Sequence, residues 1–251
     1  MFEINDAPVF CTQIQEDNPS DAIATVKDAI RRGTDVVGLQ MEVLEPKYRT
    51  EDAIRSIIAA AGAIPVYLTD YKRFDKWDSF SWEEKRKELL MGAACGASLI
   101  DIPGNMFSKD AFELTYDKDA IAMQKEFIAQ IHEAKRKVLI SSHIFQFTKQ
   151  EEAIKIALEQ QSRGADVIKI VTACNTDEEL IQTLETVRVL KATLQKPFIF
   201  VSSGEKGRYQ RLIGPHLGSC VWLCAPKYGK HDTVAQPLLE NAILANKLFL
   251  N

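Results

Sequence analysis

Hydrophobic and polar positions follow one repeated pattern along the 251 residues of the chain. Short apolar runs, rich in β-branched residues, alternate with longer segments in which apolar residues recur at helical spacing. The predicted strands span residues 9–14, 35–41, 64–69, 98–102, 137–142, 166–171, 197–203 and 219–224. The predicted helices span residues 19–32, 51–61, 82–94, 118–135, 149–162, 176–194, 208–213 and 236–248. Strands separated by helices in this way are expected to lie parallel, with right-handed crossovers.

This repeat predicts a (β/α)8 TIM barrel, the α/β fold that eight strand–helix units form in a chain of roughly 250 residues. Gly33, Gly62 and Gly164 follow predicted helices, where glycine favours a left-handed C-terminal cap. No linker or change of composition divides the chain, so residues 1–251 are expected to form a single domain. A doubly wound open sheet is the alternative, but the Gly-rich phosphate loop that it needs after an early strand is missing.

Charge and composition limit the classes of partner that we expect for this chain. Its formal net charge is −4 and its pI is near 5.7, which disfavours a DNA or RNA partner. The first residues lack a basic region followed by an apolar run, and no apolar stretch reaches about 18 residues, so neither secretion nor membrane insertion is expected. We therefore expect a cytoplasmic protein whose partner is a small molecule.

The cysteines, at positions 11, 95, 174, 220 and 224, are scattered and form no CxxC motif. This pattern favours reduced thiols over a disulfide framework. Cys220 and Cys224 lie near His216 and His231 in the sequence, but two strand residues four positions apart are roughly 13 Å apart, too far to bind one ion. Neither a metal nor another cofactor is expected.

A lysine interrupts the apolar run of the sixth predicted strand. The two-residue period of a strand places Lys169 on the same face as Val167 and Val171, and we expect this face to line the barrel interior. Burial penalises an ammonium ion and lowers its pKa, and a neutral amine is a nucleophile toward carbonyl carbons. Lys169 is therefore a candidate for Schiff-base catalysis. In the alternative, it reaches the barrel mouth and forms a structural ion pair with Asp101 or Asp70.

Polar residues gather where the predicted strands end, which in a TIM barrel is the face that carries the active site. They are Thr69, Asp70, Tyr71, Asp101, Ser142, His143, Ser202 and Ser203. His143 ends the strand that precedes the strand of Lys169, and adjacent strands lie about 4.8 Å apart. The imidazole is thus a candidate general acid and base beside the amine, although a histidine at such a position can also be purely structural.

Four segments carry a family resemblance, and they read KVLISSHIFQFT, GADVIKIV, RLIGPHLGS and TVAQP. In order and spacing they resemble the type I 3-dehydroquinate dehydratase family, which consists of Schiff-base TIM-barrel enzymes of the shikimate pathway. The resemblance implies that Lys169 forms the imine and that His143 moves the protons. It also implies that Arg211 and Gln236 hold the substrate carboxylate, and that the protein is a homodimer.

The sequence departs from this family at positions that grip the ring hydroxyls of the substrate. Gly38 and Gln40 stand where the family has a glutamate and an arginine after strand 2. Tyr71 stands in place of an arginine after strand 3, and Asp232 or Thr233 lies nearest a loop serine. We therefore expect the imine chemistry to be retained and hydroxyl recognition to be rebuilt. Gly38→Glu combined with Gln40→Arg is expected to raise turnover of 3-dehydroquinate.

The implied activity is that of a hydro-lyase, which converts 3-dehydroquinate to 3-dehydroshikimate through a lysine imine. Two alternatives stay open. One is a divergent homologue that acts on another keto acid as a lyase or an aldolase, and the other is a barrel that binds a ligand without catalysis. The presence of both Lys169 and His143 favours catalysis, because an inert barrel gains nothing from a buried ammonium ion.

Overall fold

The predicted apolar runs form strands in the computed structural model, which describes residues 7–71, 81–231 and 233–250. The strands are β1 (Val9–Ile14), β2 (Val36–Gln40), β3 (Val66–Thr69), β4 (Leu99–Pro103), β5 (Lys137–His143), β6 (Val167–Ala173), β7 (Phe198–Ser203) and β8 (Val221–Cys224). The helices are α1 (Pro19–Arg31), α2 (Glu51–Ala60), α3 (Trp82–Cys95), α4 (Lys118–Glu133), α5 (Gln150–Ser162), α6 (Asp177–Thr193), α7 (Gly207–Leu217) and α8 (Leu239–Leu250). The largest difference from the predicted bounds is at α7, which continues to Leu217 despite Pro215.

The strands form one parallel sheet in the order β7-β6-β5-β4-β3-β2-β1-β8. From β1 to β7 each strand pairs with the next one in sequence, and β8 returns to pair with β1. At the remaining seam, Cys220 N donates to the carbonyl of Phe198 at 2.8 Å, so the barrel is nearly closed. The predicted (β/α)8 TIM barrel is confirmed. One domain over residues 1–251 extends beyond the described residues and stays a prediction.

Alternate residues of each strand enter two different apolar layers. The inner layer fills the barrel and includes Val36, Tyr67, Leu99, Leu139, Val167, Ile199 and Val221. The outer layer packs between strands and helices and includes Val37, Leu68, Ile100, Ile140, Ile168, Ile170 and Phe200. Because the period is two, Ser141 and Lys169 follow Leu139 and Val167 into the barrel interior, one step nearer the C-terminal ends of the strands.

Several helix ends follow local sequence signals. Capping boxes begin α3 at Ser81 and α6 at Thr176. The three glycines expected at helix ends, Gly33, Gly62 and Gly164, have φ values of 94°, 61° and 105°. These positive values confirm the expected left-handed conformation, which costs glycine little.

Other features of the described residues bear on the wider predictions. Every cysteine of the chain is present as a free thiol. The described part of the chain holds no group of three or more histidine, cysteine, aspartate or glutamate side chains placed to bind one metal ion. Among the same residues, no helix has both the length and the apolar character needed to cross a membrane.

Candidate active site

Lys169 lies inside the barrel on β6, with only 3% of its surface exposed. Its backbone is fixed by the buried side chain of Gln160, which accepts from Lys169 N at 3.1 Å and donates to Lys169 O at 3.2 Å. The same Gln160 amide donates to Ser142 Oγ at 3.0 Å, which ties β6 to β5. The lysine therefore starts from a rigid position, and its side chain extends into the barrel, as the two-residue period predicts.

The amine of Lys169 meets a carboxylate and two phenols. Nζ donates to Tyr67 OH at 3.0 Å and to Asp101 Oδ2 at 3.3 Å, and it also hydrogen-bonds to Tyr71 OH. Both phenols donate to Asp101 Oδ2, and Ser141 Oγ donates to Asp101 Oδ1 at 2.6 Å. The ion pair with Asp101 that the sequence offered as an alternative is thus present, inside the barrel. A buried amine with this many partners is held in one position.

The two phenols stay protonated in this environment. Burial raises the pKa of Tyr67 and of Tyr71 well above the usual value near 10, and the negative charge of Asp101 raises both further. Each phenol is therefore a hydrogen-bond donor toward the carboxylate. The result is a compact hydrogen-bonded group of four side chains around the lysine amine.

His143 ends β5 and lies one interior step nearer the mouth than the amine, because the strand pairing sets Ser141 opposite Lys169 and His143 opposite Val171. Its ring contacts Tyr71 edge-on, with ring centroids 4.6 Å apart. Tyr71 therefore touches both catalytic candidates, since its hydroxyl meets the lysine and its ring meets the histidine. The sequence did not indicate this bridging position.

Glu113 holds the histidine, and sequence reasoning missed it. Its Oε2 lies 2.6 Å from His143 Nδ1 and accepts from His143 N at 2.6 Å. Its own carbonyl accepts from Ser142 Oγ at 3.0 Å, and its backbone has a left-handed φ of 51°. Ser142 thus faces this loop rather than the mouth, where it was expected, and Ser141 takes the interior place. Glu113 lies between β4 and α4, in a loop with no periodicity to mark it.

A chain of amides fills the barrel mouth at β1 and β2. Gln40 Nε2 donates to Gln13 Oε1 at 3.2 Å, and Gln15 Nε2 donates to Gln40 Oε1 at 2.6 Å. The pairing of β1 and β2 sets Gln13 opposite Gly38, where an added Cβ would lie 2.8 Å from Gln13 Cδ. Gly38 therefore makes room for Gln13. A glutamine on the inward face of an apolar strand was the signal for this contact, and it was missed.

Arg211 is a buried cation on α7. Its Nε donates to Ser202 O at 2.7 Å, and only 7% of the residue is exposed. Among the described residues, Nη1 has no hydrogen-bond partner and no carboxylate forms a salt bridge with the guanidinium. Burial lowers the pKa of Arg211 to about 10. An anion that bound here would meet a guanidinium already stripped of water.

Gln236 and Thr233 lie in the loop between β8 and α8. Gln236 is buried, and its Oε1 has no hydrogen-bond partner among the described residues. Its backbone N donates to Thr233 O at 3.0 Å, and its carbonyl accepts from Tyr228 OH at 2.9 Å. Thr233 is exposed, and Asp232 lies outside the described residues. Among the described residues of this loop, none forms a hydrogen bond with the amine of Lys169.

A second charged cluster lies beside the mouth, between β3 and α3. Asp70 pairs with Lys85 at 3.3 Å, so it does not serve as the partner of Lys169. Glu42 accepts from Thr69 Oγ1 at 3.0 Å, and burial, assisted by the charge of Asp70, raises the pKa of Glu42 to about 7. Burial and Asp70 also raise the pKa of Glu88 to about 7, while Arg49 opposes that shift.

Comparison of the sequence with known families gives one match across most of the chain. The profile of the type I 3-dehydroquinase family matches residues 10–237. A 3-dehydroquinate dehydratase of Alkaliphilus oremlandii is 34% identical over 46% of this chain, and the match spans about half (45%) of that relative. A 3-dehydroquinate dehydratase of Methanocaldococcus jannaschii is 25% identical over 91% of this chain and 93% of its own length.

Comparison with solved structures supports the same architecture. The type I 3-dehydroquinate dehydratase of Clostridium difficile, crystallised with covalently modified comenic acid, has a TM-score of 0.83 to this chain at 20% identity. The superposition covers 99% of this chain and 95% of that one. At this identity the likeness establishes the fold, while the chemistry has to be argued from the residues themselves.

Proposed function

We propose the activity of this chain from one premise: it belongs to the type I 3-dehydroquinase family. The proposed activity is that of a hydro-lyase, which removes water from 3-dehydroquinate to give 3-dehydroshikimate. The observation that carries the proposal is a buried lysine amine in the barrel interior, with a carboxylate-bound histidine one interior step above it. The proposed nucleophile and the proposed proton carrier thus lie at the same mouth of the barrel.

Lys169 is the proposed nucleophile. Its amine attacks the substrate ketone and forms an imine, and the protonated imine draws electrons from the adjacent carbon. A proton on that carbon becomes acidic enough for a neighbouring base to remove. The fixed backbone of β6 and the hydrogen bonds around Nζ support this role, because they hold the amine in one orientation for attack.

His143 is the proposed general base and acid. Its Nδ1 faces the Glu113 carboxylate at 2.6 Å, which favours the tautomer with the proton on Nδ1 and leaves the Nε2 lone pair free. Nε2 can then take the proton from the carbon beside the imine and return it to the departing hydroxyl. Glu113 also stabilises the imidazolium that forms between these two steps.

Arg211 and Gln236 are proposed to bind the substrate carboxylate. Nη1 of Arg211 has no hydrogen-bond partner among the described residues, which supports this assignment, because a buried guanidinium gains a charge-assisted hydrogen bond when a carboxylate arrives. The ring hydroxyls are proposed to meet Gln40, Tyr71, Thr233 and Asp232. The amides at Gln13, Gln15 and Gln40 offer hydroxyl groups neutral donors and acceptors.

The ion pair between Lys169 and Asp101 supports a second candidate function, a barrel that binds a keto acid without forming an imine. In that case the lysine is a structural partner of the carboxylate. Both candidates predict ligand binding at the mouth, but only the first predicts a covalent adduct.

Trapping with borohydride separates the two candidates. The protein is incubated with 3-dehydroquinate and borohydride, digested and analysed by mass spectrometry, while formation of the enone is followed by absorbance without borohydride. We expect a mass increase on the peptide that contains Lys169, with loss of activity. Lys169→Ala should neither trap substrate nor turn it over, whereas Lys155→Ala, on the exposed side of α5, should do both. Full turnover by Lys169→Ala would eliminate the Schiff-base mechanism.

We also propose that the protein works in the cytoplasm as a homodimer. The free thiols support a reducing compartment. Apolar side chains exposed on α8, namely Leu244, Leu248 and Phe249, support an association between copies. Light scattering after size-exclusion chromatography should give twice the mass of one chain, and a monomer at micromolar concentration would contradict the proposal.

A further inference from the structure

We propose that Tyr71 is a catalytic residue, which carries protons between the amine of Lys169 and the carbonyl oxygen of the substrate while the imine forms and when it is hydrolysed. This role goes beyond hydroxyl binding, and it rests on the proposed Schiff-base function. It assigns the protons of imine formation to Tyr71 and leaves those of the elimination itself to His143.

The position of Tyr71 supports the proposal. Its hydroxyl meets the Lys169 amine and the Asp101 carboxylate, and it lies 3.0 Å from Tyr67 OH. Tyr67 makes similar contacts from β3, but it is fully buried in the inner apolar layer. Tyr71 follows the end of β3, is half-buried, and packs against the ring of His143. A carbonyl that approaches the amine from the mouth therefore reaches Tyr71 before it reaches Tyr67.

A phenol is chemically suited to carry protons. A tyrosine can donate its proton and take another back through the same oxygen. The raised pKa of Tyr71 keeps the phenol protonated before the reaction, so it is ready to donate. Asp101, which accepts from both the phenol and the amine, can store a proton between steps.

The protons of imine formation balance within the side chains of Lys169, Asp101 and Tyr71. Asp101 takes one proton from the Lys169 ammonium, and the nitrogen lone pair then forms a bond to the carbonyl carbon. Tyr71 gives its proton to the carbonyl oxygen and regains one from the nitrogen, which yields the carbinolamine. Tyr71 then protonates the carbinolamine hydroxyl, the C–O bond breaks, and water leaves as the C=N bond forms. Asp101 returns its proton to Tyr71, so an ammonium and a ketone become a protonated imine and water, with no proton entering or leaving the group.

The test measures imine formation apart from turnover. The protein is mixed with 3-dehydroquinate, quenched with borohydride at successive times, and scored for the adduct on Lys169. A parallel measurement follows exchange of the ketone oxygen with ¹⁸O-labelled water. The exchange that the ketone undergoes without protein is subtracted, and the remainder that Lys169→Ala abolishes reports formation and hydrolysis of the imine. We expect Tyr71→Phe to slow both processes by roughly 10²- to 10⁴-fold, the usual contribution of a positioned proton carrier. Tyr116→Phe, at an exposed site, is the matched control and should leave both rates unchanged.

Each outcome has a separate meaning. If the parent protein forms no adduct, the Schiff-base function itself fails. If the parent forms the adduct and Tyr71→Phe forms it at the same rate, only the role of Tyr71 is overturned. A ring-fluorinated tyrosine at position 71 covers the case in which Tyr71→Phe misfolds, because it makes the phenol more acidic without removing it. The proposal requires fluorination to change the rate of imine formation, and a residue that only positions Lys169 would leave that rate unchanged.

Discussion

At the scale of single residues, the site depends on contacts that hold each reactive group in one orientation. Glu113 is an example, because a single carboxylate oxygen accepts from both the backbone and the ring of His143. Arg211 shows the opposite arrangement, because no anion among the described residues pairs with its buried guanidinium, as the proposed carboxylate site requires. The two residues should therefore affect different kinetic constants.

Glu113→Gln should lower kcat while changing KM little. The glutamine oxygen can still accept the two hydrogen bonds, so the ring stays in place, but the negative charge that stabilises the imidazolium is lost. We expect a reduction of roughly 10- to 100-fold, within the range for partial loss of general acid–base catalysis. Steady-state kinetics with 3-dehydroquinate measures it, and Glu133→Gln, exposed near the end of α4, is the control. A normal kcat would remove Glu113 from the mechanism.

Arg211→Ala should mainly raise KM. Loss of the cation leaves the substrate carboxylate unpaired in a buried place, and we expect weaker binding by about 2 to 5 kcal/mol. Arg211→Lys should recover part of that loss, since it restores the charge without the planar fork. Arg188→Ala, on the exposed face of α6, should behave like the parent protein. An unchanged KM in Arg211→Ala would place the carboxylate elsewhere.

At the scale of elements, β1 and β2 act as one unit at the mouth. Gln13 occupies the space over Gly38, so a longer side chain at position 38 cannot be added without moving Gln13. The exchange expected from the sequence, Gly38→Glu with Gln40→Arg, therefore lacks a necessary third change. The amides form a linked group in which one replacement disturbs the next.

Gly38→Glu with Gln40→Arg should by itself lower the melting temperature, because overpacking a tight interior typically costs about 1 to 3 kcal/mol. Adding Gln13→Ala should recover much of that loss and, if the polar anchors set specificity, raise kcat/KM for 3-dehydroquinate. Thermal unfolding and steady-state kinetics of the double and triple variants measure the two effects. A triple variant no more stable than the double one would show that Gln13 is not the obstacle.

At the scale of the whole molecule, the cluster between β3 and α3 links stability to pH. Glu42 and Glu88 have pKa values raised from the usual 4.5 to about 7, so the folded protein holds their protons more tightly than the unfolded chain does. Each group therefore stabilises the fold most below pH 4.5, and this stabilisation is lost as the pH rises through 7. The loop that carries Glu42 follows β2. The titration of Glu42 therefore occurs next to the amide side chains of Gln13 and Gln40 at the barrel mouth.

The free energy of unfolding should fall between pH 5 and pH 8, by on the order of 1 kcal/mol for each group. Urea denaturation at several pH values measures this decline. Glu88→Gln should flatten it, because the amide cannot titrate, whereas Glu83→Gln, exposed at the start of α3, should leave it intact. An equally steep decline in Glu88→Gln would assign the linkage to other groups.

The pattern of residues along the chain was enough to predict the barrel, the order of its strands and the face on which the reactive side chains lie. It could do so because a two-residue period decides which side chains point inward, and because strand ends mark the functional mouth. Lys169 and His143 follow from that logic, since Lys169 lies on the inward face of an apolar strand and His143 ends the strand before it. The family resemblance added Arg211 and Gln236, whose own patterns carry no such signal.

The groups that surround those residues became known only from the folded barrel. Glu113 reaches His143 from an aperiodic loop, Gln13 fills the space that Gly38 leaves, and Tyr71 bridges the lysine and the histidine. Each contact joins positions far apart in the chain, and hydrogen bonding between such positions depends on side-chain directions and loop paths that no local period encodes. The helices and strands were therefore predictable from the residue pattern, whereas the hydrogen-bonding partners of the site residues depend on the tertiary structure of the barrel.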